Sequence, residues 1–304
     1  MNDSRNRDAP GGGVRLVPVD PGRAGQRLDN FLLGQLKGAP RSLVYKLVRS
    51  GQVRVNGGRA RPETRLEAGD EVRIPPVRLE APEDKGTPAA GLLEAMASSI
   101  VYEDARLLAI NKPAGVASHG GSGIGFGVIE TLRALRPGEE LELVHRLDRD
   151  TSGCLLVART ATAFERAVAV FKTRRVKKLY DVLVVGRLVQ PVSTIDTPLD
   201  GQPARTHVRR LTANEDVTFA RVRIETGRTH QIRLHLASVR HPVVGDRLHG
   251  LKLTRDPRLM RVPRQMLHAT ELELDDPMGS GRLHAHSPLP ADFRRCLQMF
   301  GLGK

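Results

Sequence analysis

Tryptophan is missing from this sequence, and only three tyrosines and seven phenylalanines supply aromatic rings. That scarcity excludes a long aromatic platform on which the bases of a single strand could stack without regard to sequence. Cysteine is as scarce. Cys154 and Cys296 stand far apart with no C-x-x-C, which argues against a disulfide framework and against a cysteine zinc site. A reducing, cytoplasmic compartment is the default expectation. Long apolar runs are lacking too: no window approaches a membrane span, and the first twenty residues, with Asp3, Arg5, Arg7 and Asp8, lack the continuous apolar core of a signal peptide. No fixed-period repeat interrupts the chain. Acids are the minority charge, 34 against 48 Lys plus Arg, and the resulting +14 favours a polyanionic partner, because neutralising phosphates supplies much of nucleic-acid affinity.

The 304 residues can bury a full core as one large domain or two modest ones. Residues 1–13, rich in charge and glycine, read as a disordered tail. From Gln26 onward Leu28, Phe31, Leu32 and Leu36 recur at helical spacing. Pro40 breaks that pattern, and Ser42 offers a cap for a second helix carrying Leu43, Leu47 and Val48. Val53 and Val55 then alternate with polar residues, Asn56-Gly57 signals a tight hairpin, and Val72 and Ile74 alternate again. Lys37, Arg41, Lys46, Arg49, Arg54, Arg59 and Arg61 would spread positive charge over this small helix-helix-strand module, residues 14–75. Prolines 75, 76, 82 and 88 among small and charged residues fit an extended, semi-rigid linker over 76–98. Beyond it, "IVYEDARLLAINKP" reads as a hairpin, "GVIETLRAL" and "TAFERAVAVF" as amphipathic helices, and "YDVLVVG" as a buried strand. In "FARVRIETG", Ala220, Val222 and Ile224 alternate with charged residues as in a half-buried strand. Strands and helices mix without strict β-α-β alternation. The expectation for 99–304 is therefore an α+β domain on a mixed, largely antiparallel sheet flanked by helices.

Three stretches could carry chemistry. In "LVHRLDRDTSGCLLVAR", Asp148 and Asp150 could be a metal-binding pair, a general acid and base, a nucleophile with its neighbour, or loop acids paired with Arg146 and Arg149. Metal is the weaker choice, since the arginines around the carboxylates compete with a divalent ion. The Thr151-Ser152-Gly153 turn, feeding the apolar run Leu155 to Ala158, places these acids at the mouth of a buried strand. The second stretch is "TGRTHQIRLHLASVRHPVVGD". Thr229 is a candidate cap there, Ile232 and Leu236 mark the buried face of a short helix, Arg228 precedes that helix and Arg233 lies within it. His230 and His235 are five apart and lack the one-turn relation of a helical zinc pair. In the third, Lys172, Arg174, Arg175, Lys177 and Lys178 precede Tyr180 at the entry to an apolar strand, which suits RNA backbone contact with a ring close to a base.

"NKPAGVASHGG", "HRLDRDTSG", "KLYDVLVVG", "GRTHQIRLHLA" with "HPVVGD", and the final "SPLPADF" together, in this order, resemble the RluA family of pseudouridine synthases. "AGQRLDNFL", "VYKLVRSGQVRVNG" and "LEAGDEVRI" resemble the S4-like RNA-binding module. The resemblance implies an S4-like module in front of a pseudouridine synthase catalytic domain. It also implies isomerisation of uridines in 23S ribosomal RNA or its precursor, at more than one position, with no cofactor, no nucleotide and no metal. Under it Asp148 is the essential aspartate, acting as nucleophile or base, and Arg233 is its ion-pair partner. Tyr180 packs against the target base and can also take part in proton transfer. Arg146 fills the space left by the flipped nucleotide, His145 and Arg228 order the loop or touch phosphate, and Asp150 is structural. Arg41, Lys46, Arg49 and Arg54 are the S4-like RNA contacts. A monomer is favoured, because no long apolar stripe is left over. Two departures from the family's pattern stand out: "GDRLHG" puts His249 where relatives often carry tyrosine, and "LDDP" occupies 274–277 in place of "FxHP". A non-catalytic RNA-binding assembly factor and a metal-dependent nuclease using Asp148 and Asp150 are the alternatives from other classes.

Overall fold

The computed structural model describes residues 13–36, 39, 41–77, 86–121, 125–173, 175–250, 256–277, 279 and 281–303, with backbone alone for 41 and 42. The expected tail, residues 1–13, lies outside the described residues except for Gly13, and Lys37 and Arg174 also lie outside them. The chain divides into two compact units between residues 85 and 86.

The first unit contains β1 (Arg15–Pro18), α1 (Leu28–Gln35), α2 (Arg41–Arg49), β2 (Arg54–Val55), β3 (Gly58–Arg59) and β4 (Glu71–Ile74). Its four strands pair antiparallel in the order β1-β4-β2-β3. Asn56 and Gly57 both take positive φ, 49° and 74°, as the two-residue turn between β2 and β3 requires. Leu28, Phe31 and Leu32 of α1 pack with Val44, Leu47 and Val48 of α2 over Val53, Val72 and Ile74 of the sheet. The buried Asp29 carboxylate ties the helices together, accepting from Nε and Nη2 of Arg27 at 3.1 and 2.7 Å and from the Tyr45 hydroxyl at 3.0 Å. Ser42, expected as a cap, falls inside α2 because the helix starts at Arg41.

The second unit begins with a helix in place of a linker. The stretch expected as an extended linker over 76–98 is helical at α3 (Ala90–Ala97). Leu92 and Met96, one turn apart, face the main core, with Met96 fully buried, and this burial outweighs the local glycine and proline content. There follow β5 (Ile100–Glu103), β6 (Leu107–Lys112), α4 (Val128–Leu135), β7 (Glu142–Leu143), β8 (Ser152–Ala158), α5 (Ala161–Lys172), β9 (Lys177–Val185), β10 (Val192–Ile195), β11 (Thr206–Ala213), β12 (Val217–Ile224), α6 (Gln231–Ser238), α7 (Pro257–Met260), β13 (Leu267–Asp275), β14 (Arg282–His286) and α8 (Ala291–Met299). Eight strands run in the order β10-β11-β12-β9-β13-β8-β6-β5, with β14 on β13 and β7 on β8. Among the described residues only β8 and β13 pair in parallel, so the fold is α+β on a mixed, largely antiparallel sheet flanked by helices.

Both faces of the sheet centre are covered, which is why β8 reads as a continuous apolar run. Leu155 and Val157 join α3, α4 and α6 in one core, while Cys154, Leu156 and Ala158 face Ala163 and Ala167 of α5 on the other side. Gly153 sits in the parallel junction at φ +113°, where any Cβ would overlap the backbone of Ala269. The glycine of "TSG" is thus a packing requirement of β8 against β13. No helix of the described residues is long and apolar enough to cross a membrane.

Candidate active site

The segment between β7 and β8 carries His145, Arg146, Asp148 and Asp150, and almost every residue of it is tied down. The Ser118 hydroxyl accepts from the Leu147 amide at 3.1 Å and donates to its carbonyl at 2.9 Å. The buried Lys112 ammonium donates to the carbonyls of Pro113, Val116 and Arg149 at 2.8–2.9 Å. Burial, and secondarily Arg264, push Lys112 down to about 7. Three carbonyl acceptors nevertheless require the ammonium, because a neutral amine has only two N–H groups. Arg264 donates to the Asp150 carbonyl at 3.0 Å and is itself held by Asp292, and Gln265 donates to the Thr151 hydroxyl at 2.8 Å. A loop with this many fixed points holds its side chains in position before any ligand arrives.

One of those side chains is Asp148. Its Oδ2 accepts from Nη1 of Arg233 at 2.9 Å, although the two residues are 85 positions apart. Arg233, the third residue of α6, is 6% exposed and points its other edge at Asp246. There Nε donates to Oδ2 at 2.6 Å and Nη2 to Oδ1 at 2.8 Å. The Asp246 side chain is fully buried, and its Oδ1 also accepts the amides of Leu248 and His249 at 3.0 Å. Burial alone would raise the Asp246 carboxyl. The Arg233 fork and the amides outweigh it and hold the group below the usual carboxylate range. Burial likewise works against the Arg233 charge, and the two carboxylates more than restore it, so Arg233 stays charged. The guanidinium is thereby locked to a fixed anion on one side and offers one N–H to Asp148, whose side chain remains 28% exposed.

α6 reaches this position through a strained start. Its N-terminal flanking residue is His230, at φ 53° and ψ 23° in the left-handed region, at a cost of about 1–3 kcal/mol for a non-glycine residue. The buried Gln231 follows it, its side chain held by four hydrogen bonds. Its Oε1 accepts from the Thr226 hydroxyl at 2.7 Å and the Arg228 amide at 3.1 Å, while its Nε2 donates to the Arg205 carbonyl and the Thr206 hydroxyl. Thr229 therefore does not cap the helix; the chain turns one residue later, at His230.

A cavity of about 710 Å3 opens beside Asp148, within the range of small-ligand sites. Tyr180, Ile224 and Leu147 form apolar wall, and Arg146, Arg149, Lys178 and Arg228 surround it with positive charge. Lys178 and Tyr180 share a face of β9 by the two-residue strand period. Burial, and then the nearby Asp148 charge, push the Tyr180 phenol up. A narrower pocket continues from Asp148 and Tyr180 to Arg233, Ile232 and Leu267. The Arg146 guanidinium is exposed and makes no hydrogen bond or ion pair among the described residues.

The structure thus brings Asp148, Arg233, Tyr180, Arg146 and Arg228 around one cavity, with Arg228 exposed and bonded weakly to the Pro203 carbonyl at 3.4 Å. His145 lines it differently. Its Nε2 accepts the Leu156 amide at 3.1 Å, its ring stacks on Phe171 with centroids 4.9 Å apart, and burial pushes it down to about 3. A neutral ring with that nitrogen engaged orders the loop and offers no charge to a phosphate. His235 is bonded to Thr206 and the Thr197 carbonyl, inside the core. In the basic run before Tyr180, Lys177 pairs with Glu273 at 3.1 Å. In the first unit Lys46, Arg49 and Arg54 are exposed, with Arg54 donating to the Gly57 carbonyl at 3.1 Å, and the side chain of Arg41 lies outside the described residues. Sequence reasoning missed Asp246, Lys112, Gln231 and Arg264. The only signals were the acid in "HPVVGD" and the lysine in "NKP", which read locally as a turn acid and the end of a hairpin.

The sequence signature of the family described as "RNA pseudouridylate synthase" matches residues 106–238, and that of the S4 domain matches residues 26–72. The chain is 41% identical over 315 residues to a Vibrio cholerae protein named "Ribosomal large subunit pseudouridine synthase C", with 98% of each chain covered. It is 42% identical over 308 residues to the Escherichia coli protein of the same name, covering 94% of this chain and 96% of that one. Among solved structures, human RNA pseudouridylate synthase domain containing 4 superposes with a TM-score of 0.57 over 68% of this chain and 95% of that one. At 24% identity, that is a likeness of fold.

Proposed function

Since the chain belongs to the RNA pseudouridylate synthase family and is an RNA pseudouridine synthase with an S4 domain, we propose that it isomerises specific uridines of 23S ribosomal RNA, using Asp148 and no cofactor. The names of the Vibrio and Escherichia relatives support the substrate, and both cover nearly the whole chain. In the isomerisation the N1–C1′ bond of uridine breaks, a C5–C1′ bond forms, a proton leaves C5 and N1 gains one. Atoms and electrons balance within the nucleotide, so neither an oxidant nor a phosphate donor is consumed.

The observation that carries the proposal is the Asp148–Arg233 pair at the edge of the basic cavity. Whether the aspartate attacks the substrate or removes a proton from the sugar, the reacting form is the carboxylate. Arg233, neutralised on its far side by Asp246, holds that ion in place without withdrawing it from the cavity. A uridine must leave its stack to arrive there, at about a few kcal/mol, least in loops and bulges. Tyr180 offers the ring against which the extruded uracil packs, and the free guanidinium of Arg146, two residues from Asp148, fills the space the base leaves. Arg149, Lys178 and Arg228 hold the flanking phosphates, while Lys46, Arg49 and Arg54 of the S4 domain add contacts that position the RNA without reading its sequence. The protein acts where ribosomal RNA is made and assembled, in the cytoplasm. A guanidinium already seated on Asp148 opposes a divalent cation there, which disfavours metal-dependent hydrolysis.

The test is to incubate the protein, with chelator, with a 23S transcript that carries no modification. Pseudouridines are then mapped as reverse-transcriptase stops after carbodiimide treatment. Stops at a few discrete uridines are expected. A transcript without stops, or one whose stops vanish with chelator, would overturn the proposal.

A further inference from the structure

We infer that His230 and His249 form a proton relay that takes the proton from C5 of the rotated uracil and delivers it to solvent. This rests on the isomerase reading above and names the base for its last step. His230 borders the cavity with its Nε2 3.9 Å from Asp148 Oδ1, on the side of the carboxylate that Arg233 leaves free. Its other nitrogen, Nδ1, is 3.0 Å from Nε2 of His249, with ring centroids 5.1 Å apart. A contact between two ring nitrogens needs one donor and one acceptor. When His230 donates from Nδ1, its Nε2 lone pair faces the reacting centre.

The backbone supports an assignment to function. His230 takes the left-handed conformation directly before Gln231, whose side chain makes four hydrogen bonds, and its ring lies beside Asp148. His249 is fixed as firmly, since its amide donates to the same Asp246 oxygen that receives Arg233 Nη2. Asp246, Arg233, Asp148 and His230 are the charged or titratable groups facing it. Burial leads the influences that lower His249, which favours a neutral, proton-accepting ring.

Other groups at the cavity are poorer bases. Tyr180 is pushed up and has no phenolate to spend, His145 accepts the Leu156 amide, and Asp148 already acts in the bond-breaking step. His119 also borders the cavity but is exposed. In the relay His230 Nε2 accepts the C5 proton as the C5–H electrons return to the ring. The Nδ1 proton passes to His249 Nε2, and His249 releases its Nδ1 proton to water. Both rings are then neutral in the opposite tautomers, and tautomer exchange resets the pair.

The experiment measures single-turnover pseudouridine formation on an RNA fragment carrying either protium or deuterium at C5 of the target. Wild type is expected to show little isotope effect. His230→Asn, chosen because asparagine tolerates the left-handed region, is expected to slow turnover about 100-fold or more, with a primary isotope effect emerging and partial rescue by added imidazole. His249→Phe should slow it less and also reveal the isotope effect. Equal melting temperatures certify the fold, and His230→Gly is the second variant if Asn perturbs it. A slow variant with neither isotope effect nor imidazole rescue marks His230 as merely structural and overturns the relay, as does a variant of wild-type rate. A wild type that forms no pseudouridine overturns the isomerase reading itself, and the relay with it.

Discussion

Asp246→Asn removes the charge of a residue that is not expected to touch the substrate, and its effect follows from what surrounds it. The side chain is fully buried and receives two N–H groups from Arg233 and the amides of Leu248 and His249. Asparagine keeps the shape and can retain the two amides with its oxygen, but it turns an NH2 toward Arg233. The guanidinium is then buried without its full counter-charge. Breaking a buried pair in this way costs about 3–5 kcal/mol, discounted here because Asp148 still pairs with Nη1, so about 3 kcal/mol is expected. For a unit of this size that lowers the melting temperature by roughly 10 °C. Arg233 is also freed to shift toward Asp148, and a displacement of about 1 Å at a reacting group costs on the order of 100-fold, seen as lower kcat with KM less affected. The pH dependence fixes the cause. The folded Asp246 carboxyl lies below its ordinary range, so its contribution is complete above about pH 4 and is lost as pH falls through the folded value. The stability gap between wild type and variant, measured by urea denaturation, should be constant from about pH 5 to 8 and close below about pH 4. A variant with wild-type melting temperature and kcat would refute the claim that Asp246 holds Arg233 in place.

Three further outcomes follow from the same geometry. Gly153→Ala should destabilise the catalytic unit by more than about 3 kcal/mol, since φ +113° and the Ala269 backbone leave a Cβ no room, and soluble protein with normal melting would contradict this. His145, pushed down to about 3, stays neutral in the folded protein while the unfolded chain takes up a proton below about pH 6.5. Wild type should therefore lose about 1 kcal/mol relative to His145→Gln between pH 7 and 5, after discounting for the partly exposed ring, and urea melts of the two proteins at both values decide it. Replacing Lys46, Arg49 and Arg54 together by serine should weaken RNA binding on all sequences alike. It should also flatten the dependence of log K on log salt by about 2, unless these side chains face away from phosphate, in which case the slope will not change.

Much of this arrangement could be read from the chain because its signals are local. The spacing of Leu28, Phe31 and Leu32, the Asn56-Gly57 turn, and the alternation of Ala220, Val222 and Ile224 each report on neighbours a few residues away, and each lies in the expected element. The two charged stretches around Asp148 and Arg233 stood out because charge beside an apolar run is conspicuous. What escaped notice depends on distant partners. Asp246 looks like a turn acid until α6 delivers Arg233 to it, and Lys112 looks like the end of a strand until the Arg149 carbonyl arrives above it. α3 was hidden for a related reason: "AAGLLEAMA" is short and preceded by prolines, and only the core under Met96 makes it a helix. The caps expected at Ser42 and Thr229 failed because the helices start elsewhere: α2 already at Arg41, and α6 after His230, which makes no side-chain cap bond.

We propose that the Asp148 carboxylate, held by Arg233 at the edge of a basic cavity, performs the isomerisation. Its most direct test is release of tritium from 23S RNA labelled at C5 of uridine, comparing wild type with Asp148→Asn in the presence of chelator while RNA binding is followed in parallel. Stoichiometric release by wild type, no release by the variant, and equal RNA affinity are predicted. Release by the variant at a comparable rate would contradict it.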